Sequence, residues 1–116
     1  MRHLTLASVL IFAAMAVQAD GQTDFLAAEQ ALKSGDRARF EQLSASLRDY
    51  PLYPYLRFAE LTRNLEAAPD DAIESFIADD PDSQLADRLR LAYLRLLAKA
   101  SRWSVYVRLY RPDDSV

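Results

Sequence analysis

The side chains that could carry out acid–base chemistry in this chain are almost all carboxylates. The 116-residue sequence contains no cysteine, and its one histidine, His3, lies at the start of the chain. A thiol nucleophile, an imidazole base and the commonest zinc ligands are therefore missing from the rest of the sequence. Loops that cradle phosphates need several glycines, and the chain has only Gly21 and Gly35. Nucleophilic, phosphate-binding and zinc-dependent chemistry are thus disfavoured.

Glutamates remain as candidates, because glycosidic cleavage commonly uses a carboxylic acid of raised pKa in a sugar-binding cleft. The candidates by residue type are Glu29, Glu41, Glu60, Glu66 and Glu74. Glu74 follows Asp71 at the spacing of a capping box, which favours a role at a helix start over catalysis. The pairs Asp70-Asp71 and Asp79-Asp80 lack the glycine of a calcium loop, which favours helix-terminus roles. We predict no catalytic, cofactor-binding or metal site.

Four basic residues share one stripe of a predicted helix and its end. They are Arg88, Arg95, Lys99 and Arg102. Such a stripe could face glycan strands or a carboxylate-bearing stem peptide. The alternative is a solvated face that keeps the helix soluble, and the pattern favours this second interpretation.

The charge balance and the N-terminal segment indicate an exported, acidic protein. A net charge of −3 and a pI of about 5.1 give no electrostatic footprint for nucleic acid or anionic lipid. Arg2 and His3 precede the apolar run from Leu4 to Val17, and a small-residue cleavage site ends at Ala19. We predict a signal peptide over 1–19, a periplasmic domain over 20–116 and no stable membrane anchor after cleavage. The alternatives are a retained anchor or a buried first helix.

The remaining sequence predicts an all-α fold, because no segment shows sustained apolar and polar alternation. The predicted helices are Phe25 to Ser34 before Gly35, an Asp36-capped helix to about Arg48, Tyr53 to Leu65, Asp71 to Ala78, a helix capped by Asp82 or Ser83 to about Ala100, and one from about Arg102 to Pro112. Short helices with wide apolar faces favour stacked antiparallel pairs, an α-solenoid or superhelix. A compact bundle is the competing architecture.

The sequence leads to specific expectations at two places, the corner between the second and third helices and the last helix. The corner Asp49, Tyr50, Pro51, Leu52, Tyr53, Pro54, Tyr55 and Leu56 should join two helices, with its tyrosine rings buried. Any tyrosine left exposed could stack on sugars. The last helix should use Trp103, Tyr106, Val107 and Tyr110 as its packing face. A face of this composition should be covered by another layer of helices. We therefore expect the chain to be truncated.

The corner also resembles a segment of a known family. The string D-Y-P-L-Y-P-Y-L is similar to the D-Y-P-L-x-P-Y-L segment of the N-terminal superhelical domain of the soluble lytic murein transglycosylases. The resemblance spans about residues 24 to 111. It includes Ala28, Ala31 and Leu32 before Gly35-Asp36, and the Leu/Ala/Arg-rich run from Leu85 to Tyr110.

What the resemblance implies is a scaffold without an active site of its own. The family cleaves the β-1,4 bond between N-acetylmuramic acid and N-acetylglucosamine of peptidoglycan without water, leaving a 1,6-anhydro end. Its catalytic Glu stands in an E-S-x-F motif of a separate C-terminal domain, followed by a glycine-rich segment. Glu74-Ser75-Phe76 is one residue short of that motif, and no glycine follows it. The implied partners are peptidoglycan, through that other domain, and the remaining helical repeats of the same protein.

Two interpretations outside this family role stay open. A free-standing periplasmic helical-repeat adaptor that binds proteins would have the same α-solenoid pattern and would need no active site. A small helical chaperone or inhibitor is a weaker third possibility. No cofactor is expected under any of the three.

Overall fold

The structure is a computed structural model that describes residues 21–114. The predicted signal peptide over 1–19 lies outside the described residues and stays a prediction. The described part contains six helices and no strand. We number them α1 over 21–34, where the described part begins, then α2 Arg37–Ala45, α3 Tyr53–Arg63, α4 Asp70–Asp79, α5 Gln84–Lys99 and α6 Trp103–Leu109. The predicted number and order of helices are confirmed.

The chain divides into two compact units, Met1–Leu56 and Arg57–Val116. The first unit buries an apolar cluster from α1, α2, the segment after α2 and the start of α3. Its buried members are Phe25, Ala28, Ala31, Phe40, Leu47 and Leu56. The second unit buries a cluster from the end of α3, α4 and α5, packed against part of α6. Its members include Leu61, Ile73, Ile77, Leu89, Tyr93, Leu94 and Leu97.

The same turn ends α1 in the first unit and α5 in the second. The Asp36 N–H donates to the Ala31 carbonyl at 2.9 Å, and the Gly35 N–H donates to the Leu32 carbonyl at 3.3 Å. After α5 the corresponding bonds run from Arg102 to Leu97 at 2.8 Å and from Ser101 to Ala98 at 3.1 Å. This pair of bonds defines a Schellman motif.

Both Schellman turns place one residue in the left-handed region. Gly35 has φ +78°, as the sequence predicted, whereas Ser101 holds φ +57° with a side chain attached. Each turn leads directly into the next helix, which begins two residues later, at Arg37 or at Trp103. The two turns therefore build α1–α2 and α5–α6 as tightly connected helix pairs.

Burial also repeats along the chain at a spacing of about 33 residues, a length typical of two-helix repeats. Ala28, Leu61 and Leu94 follow this spacing, and all three are at most 4% exposed. Phe40 and Ile73 follow it on α2 and α4, and both are at most 1% exposed. The period is hard to see in the sequence because Ala28 corresponds to two leucines and Phe40 to an isoleucine, so the positions share burial more than residue type.

The predicted N-terminal caps of α2 and α5 are found, whereas that of α4 is not. Asp36 accepts a hydrogen bond from the Arg39 N–H at 3.2 Å, and Ser83 accepts one from the Ala86 N–H at 3.1 Å, so both predicted N-caps are confirmed. The predicted capping box of Asp71 and Glu74 is wrong. Helix α4 begins one residue earlier, at Asp70, and its N-cap is Pro69, which has no side-chain donor or acceptor to offer.

Helix α2 is also shorter than predicted, ending at Ala45 and not near Arg48. The chain from 46 to 53 continues through i to i+3 hydrogen bonds, such as Tyr50 N–H to the Leu47 carbonyl at 2.9 Å. This tighter winding replaces the last α-helical turn. In 21–114, no helix is both long enough and apolar enough to cross a membrane.

Candidate functional site

The predicted corner is built partly as expected. Leu56 is 1% exposed in the first core, and Tyr53 packs partly buried against the same cluster. The Tyr50 ring lies 5.7 Å from the Phe25 ring, tilted by 46°. A Cβ added at Gly21 would come within 3.1 Å of the Tyr50 ring, so this glycine permits the close approach. Pro54 lies in the first turn of α3, as predicted.

Tyr55 departs from the prediction of buried tyrosine rings, because 55% of it is exposed. Leu52 is also exposed, at 43%. The reason is helical geometry, since Tyr53 and Leu56 are three residues apart and share the face turned to the core. Tyr55 lies between them in sequence and projects from another side. It is therefore the tyrosine of the corner that is available to a ligand, although a sugar-stacking role stays a prediction.

The four residues of the predicted basic stripe are all exposed, but they differ in their partners. The Arg88 guanidinium lies 4.9 Å from the centre of the Phe58 ring, a cation–π contact. Arg102 lies beyond α5, at the start of α6, and is bonded to Asp70. Arg95 and Lys99 form no ion pair within the described residues. Whether the stripe binds anything stays a prediction.

A polar network joins α4, α5 and the start of α6. Asp70 Oδ1 accepts a hydrogen bond from the Tyr93 hydroxyl at 2.8 Å and one from Arg102 Nη1 at 3.1 Å, and Asp70 Oδ2 accepts one from Arg102 Nη2 at 2.8 Å. The bidentate Arg102 contact, and then the Tyr93 bond, lower the pKa of Asp70. Burial of Tyr93, and then its bond to Asp70, raise the pKa of the phenol to about 12. The network keeps Asp70 ionised and Tyr93 neutral.

A cleft of about 320 Å³ opens beside this network, within the second unit. Its apolar wall consists of Leu96, Leu97 and Ala100 at the end of α5. Its charged residues are Glu66 from the turns after α3, Lys99 from the last turn of α5, and Arg102. The strained residue Ser101 stands between two of the lining residues. Two residues of the predicted basic stripe, Lys99 and Arg102, are thus brought to one cavity.

Glu74, which was predicted to take part in a capping box at the start of α4, forms an ion pair with α6 instead. Its Oε1 lies 2.6 Å from Nη1 of Arg108 on α6, an ion pair whose geometry is not that of a directed hydrogen bond. Elsewhere, the residues 21–114 bring no three His, Cys, Asp or Glu side chains together as a metal site.

The apolar face predicted for α6 is largely exposed. Trp103 is 54% exposed, Val107 72% and Tyr110 43%. Tyr106 is half-buried against the second core, and its ring lies 5.5 Å from Trp103 and 5.8 Å from Tyr110. Three of the four residues predicted as a packing face thus face solvent, and the further layer of helices stays a prediction.

Arg90, which is 4% exposed in the middle of α5, is a further buried polar residue that was not predicted from the sequence. A charged residue in a leucine-rich helix resembles a solvated position when read from the sequence. No nearby residue signals its burial, because its buried partner is Asp114 at the far end of the described chain.

Helix pairs joined by tight turns, with burial repeating at about 33 residues, define the chain as a helical-repeat protein of the α-solenoid class. Comparisons with known proteins agree. The chain aligns over 63 residues with the soluble lytic murein transglycosylases of Salmonella typhimurium, at 35% identity, and of Escherichia coli K12, at 33% identity. The aligned part is 54% of this chain and 10% of each relative.

A solved structure shows the same fold. The 70 kDa soluble lytic transglycosylase of Escherichia coli matches with a TM-score of 0.74 and 24% identity, over 84% of this chain and 16% of that protein. No family model matches. These matches confirm the predicted all-α superhelical fold and the predicted resemblance to the soluble lytic murein transglycosylases. The chain spans about a tenth of the length of the curated relatives it matches.

Proposed function

We propose that this chain is the N-terminal helical scaffold of a soluble lytic murein transglycosylase and has no glycan-cleaving activity by itself. Its similarity to two such enzymes over 63 residues supports the family role. The whole protein would cleave the N-acetylmuramic acid–N-acetylglucosamine bond of peptidoglycan to 1,6-anhydro products. The catalytic glutamate would belong to another domain, since Glu74, the residue nearest the family motif, is engaged by Arg108.

The observation that carries the scaffold role is the exposed face of α6. On α4, Ile73 and Ile77 pack in one cluster with residues of α5, the helix that follows. At the repeat spacing of about 33 residues, the positions that correspond to them on α6 are Tyr106 and Tyr110. Tyr110 is 43% exposed, so α6 offers the same kind of face without a cover. A following helix pair of the same protein would cover it.

The proposed location is the periplasm. It rests on the predicted signal peptide over 1–19 and on the periplasmic substrate of the proposed parent enzyme. After cleavage at Ala19 the scaffold would act as a water-soluble part of that enzyme. Mass spectrometry of the exported protein would give the new N-terminus, and retention of residues 1–19 would contradict this location.

The fluorescence of Trp103, the single tryptophan of the chain, tests the scaffold proposal directly. We expect red-shifted emission and easy acrylamide quenching from the 116-residue chain. A longer product of the same reading frame should show blue-shifted emission and reduced quenching, because added helices cover Trp103. Equal emission and quenching from the two products would contradict the proposal. Self-association could also cover Trp103, and it would make the emission depend on protein concentration. Measuring the emission at increasing dilution removes this contribution.

Activity and the reading frame complete the test. The purified chain should release no anhydro-muropeptides from peptidoglycan, and detectable release would contradict its role as an inactive scaffold. The frame beyond Val116 should continue through helical repeats to an E-S-x-F and a glycine-rich segment. A stop codon there would favour the free-standing adaptor instead.

A further inference from the structure

The cleft at the end of α5 combines an apolar wall with separate charges of opposite sign. Leu96, Leu97 and Ala100 supply aliphatic surface, while Glu66 and Lys99 supply a carboxylate and an ammonium group. Its volume of about 320 Å³ lies at the lower end of the range of small-molecule sites. All of these residues belong to the second unit. The cleft is therefore formed within one compact unit.

The third charged residue of the cleft is already neutralised. Both Nη atoms of Arg102 donate to Asp70, which also accepts the Tyr93 hydroxyl bond. This pairing holds Arg102 in place and balances its charge. It leaves Lys99 and Glu66 as the two exposed charges of the cleft that have no ion-pair partner within residues 21–114.

Glu66 and Lys99 line the same cleft but do not pair with each other, and within residues 21–114 neither forms an ion pair with any other residue. Two opposite charges on one cavity usually gain by direct contact when they can reach each other. Here no ion pair joins them, although both line the cleft. A ligand that bridges them must carry a negative group for Lys99 and a positive group for Glu66.

We propose that this cleft binds a short zwitterionic peptide. Its carboxylate would contact Lys99, its free ammonium would contact Glu66, and its aliphatic part would cover Leu96, Leu97 and Ala100. A simple anion such as phosphate fits less well, because Glu66 would repel it. Burying aliphatic atoms against the wall adds affinity that neither charge supplies alone.

Alanyl-alanine is the probe, and amide chemical shifts of the 116-residue chain are the readout. We expect shifts centred on Leu97, Lys99 and Ala100, and a dissociation constant of about 1 mM for a ligand this small. N-acetyl-alanyl-alanine lacks the ammonium, and alanyl-alanine amide lacks the carboxylate. Each should bind at least about tenfold more weakly, as expected for the loss of one charged contact.

Matched variants localise the effect. Lys99→Gln and Glu66→Gln should each weaken binding of alanyl-alanine about tenfold. Lys99→Arg, which keeps the positive charge, should retain most of the affinity for alanyl-alanine. Arg95→Gln removes an exposed charge from the same helix outside the cleft and should change nothing. Both cleft residues are exposed, so overlaid spectra of the free variants will show that the fold is kept.

Three results would overturn the inference. The first is the absence of chemical-shift changes up to about 20 mM alanyl-alanine, a concentration well above the expected dissociation constant. The second is equal binding of the capped and uncapped dipeptides, and the third is a loss of affinity with Arg95→Gln as large as with Lys99→Gln. None of these bears on the scaffold proposal, which is judged by Trp103 fluorescence and by the reading frame.

Discussion

The Arg90 guanidinium and the Asp114 carboxylate form an ion pair shielded from water, although the two residues are 24 positions apart. Their side chains are 5% and 3% exposed. Arg90 also donates to Asp87 Oδ1 at 3.0 Å and to the Leu109 carbonyl at 3.4 Å, and Asp114 accepts the Arg111 N–H at 2.8 Å. The network fixes the segment after α6 against α5 and leaves both buried charges well satisfied.

Removing one partner of this pair should therefore be strongly destabilising. Asp114→Asn leaves the buried Arg90 with a weaker set of acceptors and should lower the free energy of unfolding by about 2–4 kcal/mol. Urea denaturation measures the change. Asp113→Asn, at an exposed neighbouring position, is the control and should change stability by no more than about 0.5 kcal/mol.

A double variant distinguishes a buried unpaired charge from lost packing. Arg90→Met combined with Asp114→Leu removes both charges and should be less destabilising than Asp114→Asn. If Asp114→Asn matched the Asp113→Asn control, Arg90 would not depend on Asp114 in solution.

Acid should destabilise the second unit through Asp114 and Asp70. The Arg90 bond lowers the pKa of Asp114, and the Arg102 bond, then the Tyr93 bond, lower that of Asp70. A carboxyl whose folded pKa lies below its unfolded value of about 3.9 adds stability that is fully present above that pH. This stability is lost as the pH falls from there through the lower folded values.

Urea midpoints measured from pH 7 down to about pH 2 test this dependence. The wild-type curve should fall steeply below about pH 4. Asp114→Asn should flatten the fall, since it removes one of the two contributing groups, whereas Asp113→Asn should keep it. A slope unchanged by Asp114→Asn would contradict the assigned role.

Local signals in the sequence were sufficient to predict helix ends and helix starts that depend on a single turn. Gly35 and Asp36 predicted a helix end and the next helix start, and Ser83 predicted another start. Each of these roles depends on hydrogen bonds to residues at most five positions away. Signals of this range can be identified without knowing the rest of the fold.

Features that depend on distant neighbours could not be predicted in the same way. The apolar pattern of α6 identified Trp103 and Val107 as a packing face, but a pattern does not show whether another element covers it. Arg90 is buried with partners that include Asp114, 24 positions away along the chain. The cleft at Glu66 and Lys99 joins residues from two helix ends, so no sequence spacing indicates it.

Substitutions at Ser101 and Gly35, the two turn residues with positive φ, should change the free energy of unfolding in opposite directions. Ser101→Gly should raise the free energy of unfolding by about 0.5–1 kcal/mol, because glycine adopts a positive φ without a Cβ clash. Gly35→Ala should lower it by about 1 kcal/mol, and the change is attributable to the backbone because no other atom lies within 4 Å of the added Cβ. Thermal and urea denaturation measure both. Destabilisation by Ser101→Gly would show that the serine side chain contributes more than its backbone strain costs.

The Tyr93 phenol should ionise late in an alkaline titration. Its pKa is raised to about 12 by burial and by its bond to Asp70. A phenol whose folded pKa exceeds its unfolded value of about 10 adds stability that is present below pH 10 and is lost as the pH rises through the folded value. Tyrosinate absorbance should show a late component in the wild type that is missing in Tyr93→Phe.

Asp70→Asn is the informative companion, because it removes the negative charge beside the phenol and should move the late component to lower pH. A late component that persists in Tyr93→Phe would assign it to another tyrosine.

The exposed face of α6 should make the isolated chain associate. Contiguous apolar side chains such as Trp103 and Val107 gain by leaving water, so we expect sedimentation and light scattering to show oligomers that increase with concentration. Val107→Lys places a charge in the centre of this face and should shift the chain towards monomer without loss of helix content. Leu26→Lys adds the same charge at an exposed site on α1 and should leave the oligomers in place. A chain that is monomeric at all concentrations and melts sharply would show that this face needs no cover, and would count against the scaffold role.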